Sequence, residues 1–186
     1  MITQIWTKHS GGAAIGFGLA GAAIYMVMIT VTLARLETFA GDIPFDLRPF
    51  GYGPQAAGTL LQALGPEGRA YYLGRQIPLD MVYPALLGAT LVSMIMWFGR
   101  QVQARGLARV GIVVSIGAAG FDYVENLGVI AMILSWPAVV EPLVYATGAA
   151  TVAKSVLTVL AVSITLIAGV IWARHRVAGG VPEGAP

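Results

Sequence analysis

Apolar residues fill long stretches of this sequence, and polar ones gather between them. Four stretches, about 12–33, 77–98, 110–134 and 143–173, are uninterrupted enough to cross a bilayer as helices. A spanning helix needs about 20 largely apolar residues. These four therefore use up the chain around one long polar excursion, residues 36–76. The pattern predicts an all-α fold: an integral membrane four-helix bundle, one domain over residues 1–178, with residues 179–186 as a disordered tail.

Local signals refine each segment. In the first span Gly12, Gly16 and Ala20, and separately Gly18 and Ala22, repeat at four-residue spacing. Small residues so placed let helices approach closely in lipid. The face they form packs within the bundle, or, as the alternative, joins two copies of the chain. In the excursion, Pro44, Pro49 and Pro54 break the first half into turns. A short helix is expected over 55–64, with Ala56, Leu60, Leu61 and Leu64 on one side, and Pro66 can start another through Tyr71 and Tyr72 to Gln76. Short amphipathic segments with Tyr and Arg suit the headgroup zone, so this loop is read as a cap holding short interfacial helices. Asp80 stands near the start of the second span with Pro84 one turn later, where a proline removes a backbone hydrogen bond and can kink the helix.

Charge sets an expected orientation. Lys8, then Arg100, Arg105 and Arg109, then Arg174 and Arg176 fall on one side of the four-span layout. By the positive-inside rule that side is the cytoplasm, giving both termini inside and the cap outside. Trp6, Trp97, Trp136 and Trp172 fall at span ends, as an aromatic belt does. Lys8 precedes an uncharged run from Ser10 to Ala34, longer than a secretory signal core, so the run is read as a retained span. The expected location is an integral, multi-pass position in a bacterial inner membrane.

Composition narrows the function classes. Hydrophobic residues make up 57% and charged ones 11%, with a mean hydropathy of +0.77. Soluble domains carry about 25% charged residues, so a soluble globular protein is excluded. The net charge is +2 with no basic block, which argues against nucleic acid as a partner. There is no cysteine, which removes disulfides, thiol relays and thiolate metal sites. His9 and His175 lie outside the apolar spans, so a membrane-buried bis-histidine haem is not expected. Phosphate-loop, nucleophile-elbow, zinc-protease and dinucleotide motifs are absent from the sequence. No cofactor is expected.

The chemistry concentrates in polar residues within the spans. A charged group at mid-helix costs at least about 2.5–3.5 kcal/mol and is a functional candidate by default. Asp122, Glu125 and Asn126 stand at i, i+3 and i+4 on one face of the third span, and Ser115 continues it. In the fourth span Thr147, Thr151, Lys154, Thr158 and Thr165 trace a matching stripe. At 1.5 Å per residue, Asp122 and Lys154 reach similar depths, about 16–18 Å from the nearer helix starts. Helices joined by a short turn are antiparallel neighbours, so the stripes are expected to face each other. The expected core sets Lys154 against Asp122 and Glu125, with Asn126, Thr151 and Thr158 completing the hydrogen bonds and Asp80, Tyr83 and Arg75 closing it from the second span. Acid–base roles fall to Asp122 and Glu125, with Lys154 as electrostatic partner; Asp80, Tyr83, Asn126, Arg75, Thr151 and Thr158 are ligand-binding candidates. Buried ion pairs also serve as plain helix–helix contacts near energetic break-even. A hard cation on Asp80, Asp122, Glu125 and Asn126 is disfavoured by the ammonium in the same shell.

The layout is similar to that of the sterol-isomerase-like and sigma-2-receptor-like four-helix membrane proteins of eukaryotes. Those share a long first outer loop and intramembrane carboxylates. The likeness is one of architecture and assigns no role to any residue.

Two functional readings follow. In the first, the polar cluster binds a small amphipathic molecule such as a lipid, an isoprenoid or a polar metabolite, with or without proton transfer. In the second, the chain is a non-catalytic accessory subunit of a larger membrane complex or a homo-oligomer, and the cluster fixes helix register. Membrane lipids are expected partners in both. A further lipid contact is expected at Arg69, Tyr71, Tyr72 and Arg75, where arginine forks match phosphate oxygens or simply anchor the cap at the interface.

Overall fold

The structure is a computed structural model that describes residues 10–102 and 105–178. Lys8, His9, Trp6 and the expected tail, 179–186, lie outside the described residues. Every regular element among the described residues is helical. Helix α1 (Ser10–Val27) passes through a π turn (Met28–Thr32) into α2 (Leu33–Ala40). A short 3₁₀ turn (Phe45–Leu47) follows, then α3 (Pro54–Tyr71), a second π turn (Tyr72–Gln76) and α4 (Ile77–Gln101). Helices α5 (Arg105–Leu134) and α6 (Glu141–Ala178) complete the chain. Four helical stretches, Gly11–Ala40, Pro54–Gln101, Arg105–Leu134 and Glu141–Arg176, are long and apolar enough to cross a membrane.

The helices run longer than hydropathy alone suggests. The first continues past Leu33 to Ala40, because Leu33 and Leu36 stay buried while Arg35, Glu37 and Thr38 face out. This amphipathic end packs on α3. Gly41 then stops the helix in the left-handed conformation, its N–H bonding the Glu37 carbonyl at 2.8 Å. Within α3, Gly65 breaks the helix at φ 62° and ψ −178°, a conformation essentially restricted to glycine. Pro66 opens the next turn, and the chain runs helically from there to Gln101. The expected pair of short cap helices is present, but the second merges with the spanning helix. The non-helical part of the excursion shrinks to residues 41–53, with the 3₁₀ turn inside it.

Packing follows chain order. Helix α1 lies on α4, α4 on α5, and α5 on α6, while α4 also touches α6. Close approaches rely on small residues: a Cβ at Gly128 would fall 2.1 Å from the Thr147 hydroxyl, so the Thr147 side chain of α6 seats directly on the α5 backbone there. On α1, Gly11, Gly18 and Gly21 face Trp97, Thr90 and Leu86 of α4. The Gly12–Gly16 pair instead borders open space, with Ala20 exposed beside it. The outward faces are apolar, with Ile15, Leu19, Val113, Ile116, Leu127, Val159 and Leu166 all exposed.

The core is densest at the cap end. Phe45 is fully buried and packs against Tyr52 and Tyr72, with ring centroids 4.6 Å and 6.2 Å away. Leu60, Leu61 and Leu64 of α3, Met132 of α5 and Val144 of α6 share this core. Gly51 and Gly148 let the cap lie directly on α6: a Cβ on Gly51 would meet the Gly148 carbonyl oxygen at 2.9 Å, and one on Gly148 the Tyr52 carbonyl oxygen at 2.7 Å. A cis peptide bond joins Trp136 to Pro137 in the turn between α5 and α6.

Candidate functional site

The opposed polar stripes of α5 and α6 meet. The Lys154 ammonium donates to Asp122 Oδ1 at 3.0 Å and pairs closely with Glu125 Oε2. Thr151 donates to Glu125 Oε1 at 2.9 Å, so both Glu125 oxygens are engaged on a residue only 1% exposed. Helical spacing accounts for this: Thr151 and Lys154 are one turn apart on α6, as Asp122 and Glu125 are on α5. Thr147 and Ser115 instead bond back to their own helices, to the carbonyls of Leu143 and Gly111 at 2.7 Å each.

Asn126 departs from the expected arrangement. Its side-chain N–H donates 2.9 Å to the backbone carbonyl of Asp80, not to the Lys154 group. The reason lies four residues on. Pro84 has no N–H, so the Asp80 carbonyl lacks its helical donor. Asn126 supplies the missing hydrogen bond from the neighbouring helix. Tyr123 adds a second contact between the same helices one residue along, donating to the Met81 carbonyl at 3.0 Å.

Asp80 is 3% exposed, and its carboxyl faces Asp46, which descends from the cap. Asp46 accepts from the Tyr72 hydroxyl and, at 3.3 Å, from Gln76 Nε2. The Gln76 amide oxygen in turn accepts from Thr32. Thr32 ends the first π turn and Gln76 the second. The two widened turns thus face each other at one level, where π turns often serve functional positions. Tyr52, also from the cap, brings its ring down beside Thr151 and Glu125; burial, then the Glu125 charge, pushes its phenol above its ordinary range.

Other expected members stand apart. Arg75 is exposed and turned away, because the π turn directs Tyr72 and Gln76 inward. Tyr83 is half-buried, stacked on Tyr25 at 5.3 Å, and lies within the field of Asp122 and Asp80. Thr158 bonds none of the acids; with Ser115, Gly88 and Asp122 it lines a cavity of about 10 Å³, room for about one water. Asp46, Tyr52, Gln76 and Thr32 are not singled out by the sequence, where Asp46 reads as one more acid of a polar loop; Tyr72, expected at a lipid contact, turns inward to Asp46 instead. Arg69, expected at a lipid contact, donates to the Leu61 carbonyl at 2.7 Å and lies over the Trp136 ring.

The assembled group comprises four carboxyl groups (Asp46, Asp80, Asp122 and Glu125), one ammonium and a set of neutral donors, at the meeting of α4, α5, α6 and the cap. Among the described residues no three carboxylate or imidazole groups are placed to hold a metal ion. The arrangement can hold and exchange protons, and it can pair with a polar head introduced beneath the cap.

The fold and site define an all-helical chain of four long apolar helices around a buried acid–amine cluster. Compared with protein-family models, with curated proteins and with solved structures, the chain matches none.

Proposed function

We propose that this chain is a multi-pass membrane protein that binds a small amphipathic molecule in the outer half of its bundle, beneath the 41–53 cap. The apolar outer faces of all four long helices support bilayer insertion, since in water such faces would be covered. The arginines at the far end support an orientation with both termini in the cytoplasm and the cap outside.

One observation carries the binding reading: the cap sends its own acid, Asp46, and its own phenol, Tyr52, onto the acids buried between the spanning helices. Plain helix–helix contacts need no such closure from an outer segment. The carboxyl groups outnumber the ammonium, an excess that exchangeable protons would neutralise. If the bound molecule reacts, Asp122 and Glu125 are placed as acid and base with Lys154 as their electrostatic partner, and the chemistry is proton transfer or isomerisation. The cavity beside Asp122 holds about one water, so a larger molecule enters only if the packing around the cluster opens.

That same tight packing favours a second reading, an accessory subunit in which the cluster sets helix register. Substitution separates the two. Asp122→Asn nearly conserves shape; on the binding reading it inserts and folds but loses the bound molecule. If it collapses the yield, and Asp122→Leu with Lys154→Met restores it, the cluster is structural and the binding reading fails.

A further inference from the structure

The end of the bundle away from the cap carries different chemistry. Met96, Gly99 and Arg100 share one face of α4, and Arg105, Ala108, Arg109 and Ile112 share one face of α5. Together these residues line an open groove of about 250 Å³. Its floor is tightly packed: a Cβ on Gly99 would lie 2.8 Å from the Ala108 Cβ. The three arginines are exposed along its rim.

Arg105 and Arg109 have no carboxylate near them among the described residues. Between Asp80 and Asp122 the sequence holds no acid, and α6 holds none beyond Glu141 at its opposite end. Asp122 lies about 20 Å along α5 from Arg109 and is already paired with Lys154. Arg105 and Arg109, one turn apart, therefore face outward with no carboxylate among the described residues to meet them. Arg174 and Arg176 add further positive charge at the same end of the bundle. A general preference for cytoplasmic cations explains their number. It does not explain an apolar-floored groove with guanidinium groups set around its mouth.

We infer that this groove binds the head group of an anionic phospholipid. The guanidinium groups of Arg105 and Arg109 would take the phosphodiester oxygens in forked hydrogen bonds. Met96 and Ile112 would bed the upper acyl chain. The same field repels the cationic head of a zwitterionic lipid, so phosphatidylglycerol should be kept in preference to phosphatidylcholine. This rests on the membrane reading above, and concerns the end of the bundle remote from the acid cluster.

The test uses the full chain in nanodiscs of equal parts phosphatidylglycerol and phosphatidylcholine, released into native mass spectrometry. The wild type should retain phosphatidylglycerol selectively. The R105Q/R109Q variant should lose well over tenfold of that retention, since each guanidinium removed takes away a charged hydrogen-bonded contact worth about tenfold by itself. If the double variant is not recovered, the R105Q and R109Q single variants serve, each expected to weaken retention. Equal retention of both lipids by the wild type, or unchanged phosphatidylglycerol retention in the variants, would overturn the inference. So would displacement of the lipid by millimolar inorganic phosphate, which would make the groove a site for the free ion. Extraction of the wild type from membranes by alkaline carbonate would instead sink the bilayer reading itself. A carbonate-resistant protein without lipid preference overturns only the groove.

Discussion

Asn126 donates a 2.9 Å hydrogen bond to the backbone carbonyl of Asp80, the acceptor that Pro84 leaves without its helical partner. One side chain on α5 thereby satisfies the carbonyl that Pro84 leaves open in α4 and ties Asp80 to the helix that carries Asp122. Asn126→Leu should cost about 1–3 kcal/mol, since it leaves a buried carbonyl unsatisfied. In the Pro84→Ala background the residue-84 N–H can take over the Asp80 carbonyl, so the cost of Asn126→Leu should shrink. Unfolding measured by denaturant in detergent across this four-variant cycle checks the coupling; additive effects would show that the two positions act independently.

Gln76 links three elements, accepting from Thr32 and donating to Asp46 at 3.3 Å. Gln76→Leu removes both partners from buried polar atoms. It should speed hydrogen exchange across residues 42–53 by about tenfold or more, while the helices 105–134 and 141–176 keep their protection. Unchanged exchange in the cap would show that Gln76 does not hold it.

Gly128 sits where a Cβ would meet the Thr147 hydroxyl at 2.1 Å. Gly128→Ala should force α5 and α6 apart and cost about 1–3 kcal/mol. Gly12→Ala and Gly16→Ala, which border open space, should leave stability within about 0.5 kcal/mol. Melting temperatures of the three variants in one detergent decide the matter.

The Asp42 carboxyl is held below its ordinary value of 3.8, first by the Ile43 N–H and then by Arg48, whose guanidinium lies 2.7 Å from it. A lowered acid lends its support above its unfolded value and loses it as pH falls through the folded one. Order in the 42–48 turn should therefore persist from neutral pH into mild acid, then fall away below the ordinary carboxylate range. Asp42→Asn should abolish that acid dependence in exchange measurements of the turn.

The absence of cysteine makes topology directly testable. Single cysteines at Gly53, in the cap, and Gly106, at the start of α5, should react with an impermeant thiol reagent from opposite sides of sealed vesicles. Labelling of both from one side would contradict the four-span layout.

Helical spacing made part of the site legible. Asp122, Glu125, Thr151 and Lys154 could be brought together because period and rise fix both face and depth on a regular helix. The Asn126 contact was open to the same logic, since Pro84 names Asp80 as the carbonyl four residues back, yet it was assigned to the ion cluster instead. Asp46 and Tyr52 were beyond reach, because a segment outside the helices follows no period that says which side chain turns inward. Arg75 was misplaced for a related reason. Its neighbours form a π turn, which changes the face that each residue presents. The extension of the first helix to Ala40 was hidden by its charges, although Leu33 and Leu36 carry the spacing of a buried stripe.

Native mass spectrometry of the protein in nanodiscs formed directly from its host membrane tests the central claim most directly. The wild type should carry a stoichiometric small-molecule adduct that is lost in Asp122→Asn while the variant stays folded and inserted. A wild type carrying a stoichiometric protein partner and no such adduct would contradict it, leaving the buried charges as contacts that set the register of the helices.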